Sequence, residues 1–226
     1  MADTDREEVL KQSLIFSSLT DRELAALSRL TTERHFKPEE FVFWEGDTAD
    51  YFYIIIEGRI KVIKYSSSGK SFIIAFFGVG EMFGEVAVFE DRPYPASAQA
   101  AVDTRILGIK KELFLSFLGN HPQVALSIIS VLGGRLRDAQ SRLKDMVGER
   151  VEQRLARTML MLALKMGPTL PFTRQELADM SGTTTESAIR VTSRLKERGI
   201  IKTVRGKITI LDETKLTLLS EGPPQI

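Results

Sequence analysis

The sequence contains no cysteine. That excludes disulfides, zinc-finger sites and cysteine-ligated iron–sulfur clusters. Histidine is nearly as scarce: His35 and His121 are the only two, too few for most multi-histidine metal sites. No apolar run approaches the roughly 20 residues that a bilayer-spanning helix needs. The N-terminal MADTDREEV is polar and acidic, unlike a secretory signal, so a cytoplasmic protein without a membrane partner is expected. No Walker loop, nucleophile elbow or dinucleotide fingerprint is present, which leaves no catalytic residues, no metal site and no enzyme to expect. Charge of one sign is also lacking: 31 cationic against 30 anionic residues give a net charge of +1. A nucleic-acid partner would therefore have to be met by a local basic patch. What is present is 226 residues with 43% hydrophobic and 27% charged content, enough for two modest domains with real cores.

The most informative stretch is FTRQELADMSGTTTESAIRVTSRL, Phe172 to Leu195. Thr173 followed by Glu176 is a capping-box signature, and Leu177, Ala178 and Met180 supply the apolar face of a short helix. Ser181-Gly182 breaks it, since glycine tolerates the left-handed conformation that ends helices. A second helix restarts with Thr183 or Thr184 as N-cap. Helix, glycine-bearing turn and helix make a helix-turn-helix. In such motifs the N-terminal part of the second helix enters the major groove, and here it carries Thr184, Thr185, Glu186, Ser187 and Arg190, with Ser193 and Arg194 one turn on. Glu186 and Arg190 share a face because residues four apart are neighbours. Arginine can donate twice to guanine and glutamate accepts from cytosine. Ala188, Val191 and Leu195 fall on the core side. On the helix pattern alone, the alternative for Glu186 and Arg190 is an ordinary surface ion pair.

The residues that follow favour DNA. Between Arg190 and Lys207 the cations are Arg190, Arg194, Lys196, Arg198, Lys202, Arg205 and Lys207, against Glu197 alone. Gly199-Ile200-Ile201 ends the helix and begins a strand. Lys207 to Leu211 is its partner, with Arg205-Gly206 as a tight turn. A helix-turn-helix with a basic two-stranded wing is a winged helix, and Lys202 and Arg205 suit phosphate contacts that position without specifying.

The N-terminal half has the opposite texture. Phe41–Trp44, Tyr51–Ile56, Arg59–Tyr65, Ser71–Phe77 and Thr104–Ile109 are rich in β-branched and aromatic residues. Turn signals separate them: Glu45-Gly46-Asp47, Glu57-Gly58, Ser66-Ser67-Ser68-Gly69 and Gly78-Val79-Gly80. Many short strands at near-even spacing indicate a sandwich or barrel. A helix over 21–30, capped by Thr20, precedes them. The patterns Glu45-Gly46-Asp47, Ile55 to Val62 and Phe83-Gly84-Glu85-Val86-Ala87 resemble the cyclic-nucleotide-binding β-roll. Together with the winged helix, the chain resembles a bacterial transcription factor of the cyclic-AMP receptor protein and fumarate–nitrate reductase regulator (CRP/FNR) family, from about Leu14 to Leu216.

The resemblance implies an effector pocket at Gly84, Glu85 and Val86, at Pro95 and Ala96, and at Ala139 and Gln140 on a central helix. In relatives that bind cyclic nucleotide, an arginine and a hydroxyl residue after the Gly-Glu motif hold the cyclic phosphate. The corresponding positions here are Pro95 and Ala96, so cyclic AMP is not the expected ligand. A buried phosphate without a charge-assisted donor is costly. A displaced salt bridge from Arg92 is the alternative, and Gly84 and Glu85 are equally explained as turn and fold residues. The segment Arg92 to Ala100 most resembles the cysteine-free branch of dissimilatory nitrate-respiration and nitric-oxide regulators, some of which bind haem. Haem is therefore a candidate cofactor, with His35, His121 and Met82 or Met146 as ligands by residue type alone. The plainer alternative, and the favoured one, is that His35 is an ordinary strand residue and His121 a helix-start residue.

From Pro122 to about Met146 the pattern is helical, and proline suits the first turn. Ala125, Ile129, Leu132, Leu136, Ala139, Leu143 and Met146 alternate spacings of four and three, a seam that supports coiled-coil dimerisation. Val124, Ile128 and Val131 form a second stripe suited to the β-roll. Gly148 fits a hinge before a helix over 152–165. The expected architecture is α+β: a double-stranded β-helix (jelly-roll) sensor over 1–120 with flanking helices, a dimerisation helix and hinge over 121–148, and a winged helix-turn-helix over 149–226. The expected partners are palindromic double-stranded promoter DNA with a TGA-like core in each half-site by resemblance, a second copy of the chain, RNA polymerase and an unnamed small effector. The alternative is a cyclic-nucleotide-binding regulatory module without direct DNA binding. A cupin-like enzyme is disfavoured because the strands carry only His35.

Overall fold

The computed structural model describes residues 3–65 and 71–221, without the side chains at 3–5, Ser71, Met146 and Val147. The Ser66–Gly69 turn and the Met146 side chain thus lie outside the described residues. By its contacts the chain divides into two compact units, Met1–Arg135 and Leu136–Ile226.

In the first unit, helix α1 (Asp3–Gln12), a 3-10 turn (Leu14–Phe16) and helix α2 (Asp21–Ser28) precede the strands. Thr20 caps α2 through a complete capping box with Glu23. The strands are β1 (Thr31–Phe36), β2 (Phe41–Phe43), β3 (Tyr51–Glu57), β4 (Ile60–Tyr65), β5 (Ser71–Phe77), β6 (Met82–Phe83), β7 (Ser97–Ala100) and β8 (Thr104–Lys110), with helix α3 (Glu85–Glu90) after β6. They pair antiparallel into two four-stranded sheets, ordered β1-β8-β3-β6 and β2-β7-β4-β5. The crossovers between sheets give the expected α+β jelly roll.

Strand β7 carries no β-branched or aromatic residue, which is why its sequence does not announce a strand. It is nonetheless buried throughout and lies between β2 and β4. Small side chains fit there because large ones already crowd the interior. Phe43 stacks on Tyr94 with ring centroids 3.6 Å apart, and Phe52 on Phe114 of helix α4 (Lys111–Asn120) at 4.2 Å. At Gly58, with φ +86°, an added Cβ would lie 2.3 Å from the Asp103 carbonyl oxygen, so the turn into β4 admits only glycine.

Helix α5 (Pro122–Gly148) begins in this unit. Val124 and Ile128 are buried in the core, with Val131 packed against it, as the second apolar stripe predicts. The unit boundary therefore falls inside α5 and not at its ends, because that buried stripe ties its first half to the sheets.

The second unit contains the rest of α5, then α6 (Val151–Met166), β9 (Thr169–Leu170), α7 (Arg174–Met180), α8 (Thr185–Glu197), β10 (Ile201–Val204), β11 (Lys207–Ile210) and α9 (Glu213–Glu221). Gly148 ends α5, in keeping with a break there. The three strands form one antiparallel sheet ordered β10-β11-β9. Leu155, Met159, Leu177, Ala188, Leu195, Ile200 and Leu216 are fully buried and form its core. Among the described residues no single helix is long and apolar enough to cross a membrane.

Candidate nucleic-acid interface

The interface is built from the turn outward. At the start of α7 the Thr173 hydroxyl accepts from the Glu176 backbone N–H at 3.2 Å, and the Glu176 carboxylate accepts from the Thr173 N–H at 2.8 Å. Two orphan donors are thereby satisfied. Gly182 takes a positive φ of 60° and closes the turn. Arg154 of α6 fastens that turn from behind. Its guanidinium donates to the carbonyls of Ser181 (3.0 Å), Gly182 (3.1 Å) and Glu149 (3.0 Å). Thr184, not Thr183, is the N-cap of α8, accepting from the Ser187 N–H at 3.2 Å.

Along α8, Ala188, Val191, Thr192 and Leu195 are buried, so the opposite side is turned outward. There Glu186, Arg190 and Arg194 are exposed, with Thr185, Ser187 and Ser193 partly so. Arg190 donates to the Ser187 hydroxyl at 3.1 Å, which braces the guanidinium without burying it. Thr185 donates to Gln175 of α7. Arg194 leans towards Glu152, 3.9 Å away, so it stands at the flank of the face. Lys202 and Arg205 are exposed on the wing, whose turn uses Gly206 at φ +69°.

Two features of this surface went unread in the sequence. Arg174 sits at the first position of α7, is exposed, and donates to Thr203 of the wing at 3.3 Å. A cation there opposes the helix dipole, a local disadvantage that signals another purpose. The second is an exposed isoleucine, Ile189, between Glu186 and Arg190. A groove of about 540 Å³ separates this part of α8 from the wing.

The expected effector residues of the first unit are organised differently. Gly84 caps α3 at φ +80°, and an added Cβ would meet the Tyr94 ring at 3.2 Å. Glu85 is only 3% exposed. Its carboxylate accepts from Arg135 at 2.8 Å, and Arg135 also donates to the Met82 carbonyl at 2.6 Å and lies 4.3 Å over the Phe77 ring. Burial pushes the Glu85 carboxyl above its ordinary pKa range, and the Arg135 charge opposes that shift. Val86 and Pro95 are exposed while Ala96 is buried. Glu85 is thus already paired within the chain, by a residue that sequence reasoning did not single out. Ala139 and Gln140, half-buried and exposed respectively, belong to the second unit.

The candidate haem ligands whose side chains the structure describes each have a partner or lie in the core. His121 has Nδ1 2.9 Å from the Phe117 carbonyl and Nε2 3.3 Å from Glu23. His35 has Nε2 2.9 Å from Asp103, and Met82 is buried in the core. Among the described residues no cluster of three or more His, Asp or Glu could hold a metal ion.

The cyclic nucleotide-binding domain family matches residues 33–121, and the Crp-like helix-turn-helix domain family matches residues 153–219. The chain is 27% identical over 218 residues to the CRP-like cAMP-activated global transcriptional regulator of Mycobacterium tuberculosis, covering 93% of this chain and 97% of that protein. It is 27% identical over 219 residues to the nitrogen fixation regulation protein FixK of Bradyrhizobium diazoefficiens, covering 93% and 91%. The structure of FixK2 from Bradyrhizobium japonicum aligns with a TM-score of 0.75 at 23% identity, over 83% of this chain and 96% of that one. That last likeness bears on the fold alone.

Proposed function

The chain belongs to the CRP/FNR family of transcriptional regulators and binds DNA through its helix-turn-helix, and from that premise we propose that it acts as a cytoplasmic homodimer on palindromic promoter DNA. The observation that carries the reading is the outward face of α8, where Glu186 and Arg190 stand exposed on a helix fixed by its buried side. Arg190 donates to guanine and Glu186 accepts from cytosine, Thr184, Thr185, Ser187, Ser193 and Arg194 support them, and Lys202 and Arg205 hold phosphates. The chain has no catalytic role.

Residues 1–120 act as sensor, 121–148 as dimerisation helix and hinge, and 149–226 as reader. The seam supports the dimer. Ile129, Leu136 and Leu143 are each at least 60% exposed, and Ala125, Leu132 and Ala139 are half-buried between them. Such an apolar stripe calls for a second helix. Two-fold symmetry then sets the recognition helices about one DNA turn apart. A small effector near Gly84, Glu85, Val86, Pro95 and Ala96 binds the DNA-competent arrangement more tightly and shifts its population. Cyclic AMP is not that effector, because Pro95 provides no phosphate donor and Glu85 is already paired. RNA polymerase is the downstream partner.

The test is selection of bound sequences from random duplex DNA by the full-length chain, followed by gel shifts. A palindrome should be enriched, and Arg190→Ala should lose discrimination at one base pair of each half-site, about 1–3 kcal/mol. Equal loss on specific and random DNA would sink the assignment of Arg190.

A further inference from the structure

We infer that Ile189 is a specificity residue that reads the methyl group of a thymine; this rests on the DNA-reading role proposed for α8. Helix α8 buries Ala188, Val191, Thr192 and Leu195, so its core side is complete without Ile189. Ile189 instead remains 43% exposed, three residues after Glu186 and one before Arg190, where its exposed neighbours are polar or charged. It lies on the wing side of the reading face, at the edge of the groove it shares with Phe172, Thr203, Val204 and Ile208. Phe172 and Ile208 are already buried there, so the wing does not need Ile189 for its core.

An exposed isoleucine on a helix loses apolar burial and has below-average helix propensity, so its place there calls for a partner found only in the complex. The chemistry of the major groove limits what that partner is. Base edges offer hydrogen-bond donors and acceptors, which a hydrocarbon cannot use, and one apolar handle, the C5-methyl of thymine. Ile189 therefore separates thymine from cytosine, which lacks the methyl, at the base pair on the wing side of those read by Glu186 and Arg190. The residue adds an apolar reading position beside two polar ones.

The experiment removes the methyl and nothing else. With the operator enriched by the full-length chain, each thymine is replaced in turn by deoxyuridine and binding is measured by titration. Wild type should lose about fourfold in affinity per half-site at one symmetric position, the value of one buried methyl group. Ile189→Ser should bind the thymine and deoxyuridine operators equally, and Ile189→Val should keep part of the preference. Thermal melting confirms that each variant is folded, and Ile189→Ala carries the same comparison if the serine variant is not. Deoxyuridine tolerated at every position by wild type, or an undiminished penalty in the serine and alanine variants, overturns the inference and leaves the DNA reading intact. Failure to enrich any sequence overturns the DNA reading, and Ile189 with it.

Discussion

An arginine organises each end of this chain, and the two differ in what they hold. Arg135 grips the buried carboxylate of Glu85 at 2.8 Å and the Met82 carbonyl at 2.6 Å. Arg154 grips three backbone carbonyls, at 3.0, 3.1 and 3.0 Å, and so fixes the turn of the helix-turn-helix. The Gly84–Glu85 site is thus closed on itself by an ion pair, whereas the helix-turn-helix is braced from behind so that the charged side chains of α8 stay exposed on its outer face. A charge already satisfied inside the fold is available to an effector only if the pair opens. An exposed and pre-oriented charge is available at once.

The comparison predicts its own largest effect. Arg135→Met leaves a buried carboxylate without its cation and should destabilise the chain by about 3–5 kcal/mol, towards the lower end because Arg135 is a quarter exposed. Denaturant unfolding measures it, and adding Glu85→Gln should recover most of the loss. The pH dependence follows from the raised pKa of Glu85. With its folded pKa above the unfolded one, the folded chain holds the proton more tightly, so acid favours folding and rising pH removes that contribution. Without Arg135 the carboxyl is pushed higher still, so the deficit should shrink on acidification and be largest at neutral pH. A deficit independent of pH would show that Arg135 acts by packing on Phe77 alone.

The same contrast decides what the sequence could reveal. The helix-turn-helix was legible because its determinants are local: the Thr173–Glu176 box, the Gly182 turn, and the buried pattern of Ala188, Val191 and Leu195. The jelly roll was legible through five strands rich in β-branched and aromatic residues, but β1, β6 and β7 were not singled out, and Ser97-Ala98-Gln99-Ala100 of β7 is strand only because its neighbours bury it. The ion pair was not legible, since Glu85 and Arg135 lie 50 residues apart and no period joins them. Arg154 was missed for a related reason: it serves a turn that belongs to other elements. Seam residues Leu136 and Leu143 were legible from their spacing, and their partner remains a proposal.

Arg154→Met tests the other side of the comparison. It abandons neutral carbonyls and no buried charge, so the stability loss should be smaller, about 1–3 kcal/mol, and without the acid rescue expected for Arg135→Met. Sequence-specific affinity should fall further than the stability loss accounts for, because the turn sets the angle of α8. Thr184→Ala is milder. Losing the N-cap acceptor for the Ser187 N–H should cost about 1 kcal/mol, measured by the same unfolding experiment, and Thr184→Asp should recover most of it. A loss equal to that of Arg154→Met would mean that the cap, and not the guanidinium, sets the turn.

The smallest effect separates the reading face from its electrostatic surround. Lys202 and Arg205 stand exposed on the wing, and each contacts phosphate in the proposed complex. Neutralising one removes a counterion-releasing contact from each half of the dimer, so the slope of log affinity against log salt should become shallower by about 0.9 per contact. Lys202→Ala should therefore weaken specific and random DNA alike, while the base preferences stay those of wild type. Arg190→Ala should do the reverse, flattening the base preference at one position. A changed base preference in Lys202→Ala would place the wing among the base-reading elements. The division would then no longer run between α8 and its surround but between the whole winged helix and the self-paired Glu85–Arg135 site.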